Sequence, residues 1–311
     1  MNATGEAAMT PTTTTATTML GRTVLVTGST GGIGKETARG LARLGARVVL
    51  VGRDPARAQS AAAEINHDIG TDRAESVAVD LTVRRGLRQL VDTVAERHTS
   101  LDVLINNFGM NPAARQLTSD GVELAFAANV LAPYTLTLLL EPLLRAAPSA
   151  RVVNITGGIP GGPVDPDNLQ AEKGYVGWTF SQYNHTKAAL MAVSYDLARR
   201  LTGNTEGTAP GVTLNVAYPG HAYTPGNRAM APSAFPLVYR PLAPLLRVLG
   251  PVLLSDLAKP ARSSILLAAG PEVEGVTGAY FNTKGKRVPW PAFVRDERIR
   301  TAVGDLCARL M

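Results

Sequence analysis

A chain of 311 residues with 45% hydrophobic and 18% charged positions has the balance of a globular protein rather than a disordered one. Its net charge of +6 comes from scattered basic residues with no long basic run and no zinc-finger or RNA-binding signature, which argues against a nucleic-acid partner. The one cysteine, Cys307, excludes an intrachain disulfide and fits a reducing, cytoplasmic setting.

Residues 1–20 are Thr-rich and lack the apolar core of a signal peptide, so they read as a disordered tail before a domain spanning 21–311. From Arg22 onward, short β-branched runs alternate with longer amphipathic ones. The expected strands are Thr23–Thr27, Arg47–Val51, Ser76–Val79, Val103–Asn106, Arg151–Ile155 and Val212–Ala217. Helical periodicity covers Gly34–Leu44, Arg84–Arg97, Gly121–Arg145 and Gln182–Leu201. Repeated strand–helix units imply right-handed crossovers and a parallel sheet covered on both faces: a single α/β, doubly wound Rossmann domain. The apolar, Pro-rich segment 221–259 carries too many prolines for a membrane span and reads as a substrate-side lid inserted over the sheet edge.

Between the first strand and the first helix stands Thr27-Gly28-Ser29-Thr30-Gly31-Gly32-Ile33-Gly34. Glycines at 28, 32 and 34 permit a tight turn and let backbone N–H groups approach a pyrophosphate, which then sits on the positive end of the helix. This context points to a bound dinucleotide.

The spacing resembles the short-chain dehydrogenase/reductase family, and further matches follow in order over residues 21–311. Asp80-Leu81 stands where the family contacts adenine. Asn106-Asn107-Phe108-Gly109 is similar to its Asn-Asn-Ala-Gly, Asn129 sits at its catalytic Asn, and Tyr183-x-x-x-Lys187 is its catalytic pair. Pro219-Gly220 with Thr224 resembles the segment closing over the nicotinamide. Asn168–Lys173 and Gly275–Phe281 resemble the retinol-dehydrogenase-like branch. The resemblance implies cofactor contacts at Gly28, Thr30, Gly32, Ile33, Gly34, Asp80, Leu81, Asn107, Tyr183, Lys187, Pro219, Gly220 and Thr224.

An NAD enzyme of this type keeps an acid at the end of the second strand for the ribose 2′-hydroxyl, but here that position is Gly52 and Arg53 follows. A guanidinium there forks onto a 2′-phosphate, so the expected cofactor is NADP(H); the alternative is that Asp54 captures Arg53 or bonds the ribose itself. Tyr183 and Lys187, four residues apart, share a helix face, and the resemblance makes the phenol a general acid/base whose pKa the ammonium is expected to lower. The family's catalytic Ser falls on Gly157, which has no donor. Thr156, one place early, is the first candidate to replace it, another hydroxyl is the second, and Tyr183 acting alone is the third. Phe108 replaces a small residue beneath the cofactor, and either packs against the dinucleotide or fills space left by Gly157 and Gly158.

No histidine spacing suggests a metal. The leading expectation is an NADP(H)-dependent oxidoreductase acting on a bulky apolar carbonyl or alcohol, with Met230, Phe235, Leu237, Tyr239 and Leu242 lining its pocket and Arg228 and Arg240 meeting a polar end. A non-redox cyclase, isomerase or dehydratase retaining the cofactor is the alternative, and a cofactor-sensing protein without turnover is the third. The sequence allows a homodimer.

Overall fold

The computed structural model describes residues 18–157, 164–174, 181–202, 211–220 and 256–311, with Leu237 and Pro241. Strand β1 (Thr23–Thr27) places Val24, Leu25 and Val26 wholly out of solvent, as a central strand covered on both faces requires. It leads through α1 (Gly32–Arg43), β2 (Arg47–Gly52), α2 (Pro55–Ile69), β3 (Ala74–Ala78) and α3 (Arg84–Arg97) to β4 (Val103–Asn106). Local chemistry sets these elements. In α2, Pro55 occupies the first turn, Asp54 accepts the N–H of Arg57, and Gly70 closes the helix in the left-handed conformation.

With β5 (Arg151–Ile155), β6 (Thr213–Ala217), β7 (Tyr280–Phe281) and β8 (Arg287–Val288), the sheet order is β3-β2-β1-β4-β5-β6-β7-β8. All neighbours pair parallel except β7 and β8. One apolar layer joins α3 and α7 (Gln182–Thr202) to the sheet, with Ile299, Val303, Leu306 and Cys307 of α9 (Glu297–Leu310) packed into it. The other layer packs α1, α2 and α8 (Ala258–Ala269) on the opposite face. The order reverses between β1 and β4, which opens a crevice beyond the strands' carboxyl ends, where such sheets bind ligands.

Four expectations need correction. Thr18–Leu20 are part of the fold rather than tail: Met19 is buried, and its N–H donates to Leu44 O at 2.8 Å. The sheet gains an antiparallel edge strand, β8, too short to be read from periodicity. The third strand lies at Ala74–Ala78, two residues earlier than its β-branched run suggested. The long helix expected over Gly121–Arg145 is broken into α4 (Leu124–Phe126), a π-helical turn (Ala127–Leu131), α5 (Ala132–Leu139) and α6 (Glu141–Ala146). Pro133 and Pro142 lack the N–H that a continuous helix needs; for Pro133 the orphaned partner would be the carbonyl of Asn129. The turn widens there, with Ala132 N–H donating to Ala127 O.

No helix among the described residues is long and apolar enough to cross a membrane. The lid assigned to 221–259, with Thr224 and most of its expected pocket residues, lies outside the described residues apart from its last positions, Pro241 and an exposed Leu237.

Candidate dinucleotide and acid/base site

The glycine turn sits at the mouth of the crevice. Gly28 (φ 64°) and Gly32 (φ 60°) both adopt backbone conformations that side chains resist. A Cβ on Gly34 would strike Asn107 Nδ2 and Gly28 O, and one on Gly28 would come 2.9 Å from Phe108 Cα. Asn107 locks the turn: its Nδ2 donates to Thr27 O at 2.9 Å and Gly28 O at 3.1 Å, while its N–H donates to Thr27 Oγ1 at 3.0 Å. Helix α1 begins at Gly32, earlier than the spacing suggested, with Ile33 half-buried in its first turn. No side chain caps it, so its first N–H groups are left to an external acceptor. This cradle fits a pyrophosphate.

At the end of β2, a Cβ on Gly52 would collide with the side chain of Thr30, so the threonine fills the volume an acidic residue would take. Arg53 is exposed and makes no ion pair among the described residues, while Asp54 is engaged with the Arg57 N–H at 3.0 Å. Capture of Arg53 by Asp54 is therefore not what the structure adopts. Further along the sheet edge, the Asp80 carboxylate accepts the N–H and hydroxyl of Thr82, and Leu81 packs into the core.

Across β4 and β5, α7 delivers Tyr183 and Lys187. The lysine is buried, and its Nζ donates to Ile155 O at 2.9 Å and lies 6.0 Å from the Tyr183 ring centre. Burial pulls its pKa down to about 8. Burial also pushes Tyr183 up to about 12, aided by the nearby Tyr218 phenol, even though part of its side chain keeps some exposure. The expected lowering of Tyr183 by Lys187 is not seen; desolvation outweighs the ammonium at this separation.

Asn129 sits in the π-turn. Its Oδ1 accepts the Met110 N–H at 2.8 Å, and its Nδ2 donates to Met110 O and to Thr186 Oγ1, both at 2.9 Å. It thus clamps the loop after β4 against α7, and its Oδ1 and Lys187 Nζ both flank Gly109. The Thr156 hydroxyl is buried and donates to Lys187 O at 3.3 Å, so in this structure it faces helix backbone. Gly157 faces Tyr183. A Cβ there would lie 2.5 Å from Tyr183 Oη, and its φ is not left-handed. Pro219 and Gly220 follow β6 and close the same edge, Gly220 with φ 83°.

Two features carry no local sequence signal. Tyr218, just before Pro219-Gly220, packs on the α7 side of the sheet against Met191, Val216 and Tyr280, and its charge would raise the Tyr183 pKa. The segment 164–174 is also pinned to α7: Asp165 N–H donates to His185 Nε2 at 2.9 Å, Gln182 Nε2 donates to Leu169 O at 3.0 Å, and the buried Glu123 accepts from Gln182 at 3.1 Å. That bond leaves His185 Nε2 without a proton, and burial lowers the ring's pKa. Within this segment Ala171 holds a left-handed φ of 56°, the sole non-glycine to do so among the described residues. Among those residues no cluster of metal-ligating side chains occurs.

Comparison with known proteins fits this geometry. The family model described as short chain dehydrogenase matches residues 22–233. Human retinol dehydrogenase 14 is 35% identical over 277 residues, 85% of this chain and 78% of that protein. Mouse polyprenol dehydrogenase is 33% identical over 278 residues, 86% of this chain and 78% of its own length. Among solved structures, an uncharacterised protein from Mycobacterium paratuberculosis superposes with a TM-score of 0.71 at 24% identity, covering 95% of both chains.

Proposed function

The chain belongs to the short-chain dehydrogenase/reductase family, an oxidoreductase family acting on alcohols and carbonyls, and from that premise we propose an NADP(H)-dependent enzyme for a bulky, apolar substrate. The observation that carries the cofactor choice is at β2: Thr30 fills the space of an acid at position 52, and Arg53 makes no ion pair among the described residues. A guanidinium so placed pairs with a 2′-phosphate, and position 52 offers no carboxylate to a 2′-hydroxyl. Similarity to relatives named for retinol and polyprenol, both isoprenoid alcohols, supports an apolar substrate.

In this reading the glycine turn and the α1 N-terminus hold the pyrophosphate, with Gly28, Thr30, Gly32, Ile33 and Gly34 lining it and Asn107 fixing its shape. Asp80 and Leu81 border the adenine, and Pro219 and Gly220 border the nicotinamide. The bound nicotinamide supplies the hydride equivalent. Tyr183, protonated far above neutral pH, donates its proton to the carbonyl oxygen on reduction and takes it back on oxidation. Lys187 spends one N–H on Ile155 O and keeps two for ribose hydroxyls, while Asn129 acts as a positioning residue through Met110 and Thr186.

The test is NADPH consumption with retinal and a long-chain aliphatic aldehyde. Turnover that Tyr183→Phe abolishes is expected, and Arg53→Asp should raise the NADPH Kd by about tenfold or more, a bidentate charged contact being worth about 1.5–3 kcal/mol. Turnover surviving Tyr183→Phe, or an unchanged NADPH-to-NADH ratio in Arg53→Asp, overturns the corresponding assignment. The hydroxyl-free Gly157 facing Tyr183 favours a second reading, a cyclase, isomerase or dehydratase that keeps the cofactor unspent. Product formation without loss of NADPH absorbance identifies it.

A further inference from the structure

Strands β5 and β6 run in register with Ile155 opposite Ala217, and Thr156 N–H donates to Ala217 O at 3.0 Å. The next position beyond that pair brings Tyr218 alongside Thr156 at the strand ends. Side chains alternate across a sheet, and the layers here show it. Val216 packs with Met191 of α7 and with Tyr280, whereas Ala217 packs in the opposite layer with Val153 and Ile155. Tyr218 returns to the α7 side and packs against the cluster that holds Met191, Val216 and Tyr280. Its backbone is fixed on both sides: its N–H donates to Phe281 O at 2.9 Å, and Pro219 follows with a locked φ. The ring therefore stands on the face from which α7 sends Tyr183 and Lys187. On that face Gly157 offers Tyr183 Oη no hydroxyl neighbour, and the Thr156 hydroxyl is spent on Lys187 O.

We propose that Tyr218 is the second hydroxyl of the site, donating a hydrogen bond to the substrate oxygen in place of the side chain absent at Gly157. This rests on the oxidoreductase reading of Tyr183. Tyr218 transfers nothing: it keeps its proton throughout and orients and polarises the oxygen to which Tyr183 delivers one. Two further observations agree. Burial raises the Tyr218 pKa, so it stays a donor at neutral pH, and a charge on Tyr218 opposes ionisation of Tyr183.

The experiment compares Tyr218→Phe, Tyr183→Phe, the double variant and Tyr218→Phe/Gly157→Ser. Phenylalanine preserves ring packing and removes only the donor. With retinal and NADPH, kcat/KM of Tyr218→Phe should fall about 10²–10³-fold, the usual cost of one such donor, while its Tm and NADPH Kd stay unchanged. Adding Gly157→Ser should restore at least tenfold, since Tyr183 Oη can yield to the new side chain once its neighbour no longer donates. A second readout needs no cofactor: alkaline titration of the phenols by ultraviolet difference should be non-additive across the two single variants and the double variant. A kcat/KM within twofold of the unmodified chain, or strictly additive phenol titrations, overturns the role of Tyr218 alone. Absence of Tyr183-dependent turnover in the unmodified chain overturns the oxidoreductase reading, and this assignment with it.

Discussion

Lys187→Met tests whether the site pays for its chemistry in stability. The lysine is buried, and its pKa of about 8 stands well below its ordinary 10.5, with desolvation as the cause. Holding that ammonium charged at pH 7 costs the fold about 3 kcal/mol, at about 1.4 kcal/mol for each pH unit between the two values. Methionine fills nearly the same volume without charge, but leaves Ile155 O without its donor, a loss of about 1 kcal/mol. The net expectation is a gain of about 2 kcal/mol at pH 7, or a rise in Tm of roughly 3 °C for a chain of 311 residues. The sign of the pH dependence follows from the lowered pKa. Between about pH 8 and 10.5 the unfolded chain binds the extra proton, so the unmodified protein gains stability as pH rises through that window, and the Met variant does not. The margin between them should therefore shrink by about 2 kcal/mol from pH 7 to pH 9.5. Melting curves of both proteins at the two pH values, without cofactor, measure it. A Met variant no more stable than the unmodified chain at pH 7, or a margin that ignores pH, refutes the claim that desolvation dominates at Lys187.

Two further predictions concern corrected expectations. Thr156→Val should lower stability by about 1 kcal/mol through loss of the bond to Lys187 O, yet change kcat/KM by less than tenfold, because the hydroxyl faces helix backbone; a hundredfold fall would return Thr156 to the catalytic set. Removing residues 1–17 should leave Tm unchanged, whereas removing 1–20 should cost about 2 kcal/mol by taking Met19 from its buried site, and equal melting of the two truncations would show that Met19 anchors nothing.

The central strands were legible because their middles are buried on both faces: β1, β4 and β5 each carry consecutive branched apolar residues, and their ends fall where the sequence placed them. The glycine turn was legible because close approach tolerates no side chain at Gly34. What stayed hidden depends on tertiary partners. The periodicity of Gly121–Arg145 is continuous in apolar character, and only the missing N–H groups of its two prolines break it, so a hydrophobic pattern cannot see the π-turn that carries Asn129. The pairing of His185 with Asp165, and of Glu123 with Gln182, joins residues 20 and 59 positions apart, which no local spacing encodes. The direction of the Tyr183 shift was hidden for a related reason. Adjacency on a helix was visible in the sequence, but the desolvation that overrides it was not.

Gly157, Tyr183 and Tyr218 make sense as one compensated set rather than as a defect. A side chain at 157 would enter the space Tyr183 Oη now occupies, so the glycine and the phenol's position imply each other. A serine introduced alone must push the phenol aside, and the hydroxyl it brings competes with whatever donor already serves the substrate oxygen. If a donor already stands at the end of β6, Gly157→Ser by itself should gain nothing and should become beneficial only once Tyr218 has lost its hydroxyl. That dependence of sign on background distinguishes a relocated donor from a missing one. A missing donor would be supplied by serine in either background, whereas a relocated one makes the two substitutions strongly non-additive, as residues sharing one task are.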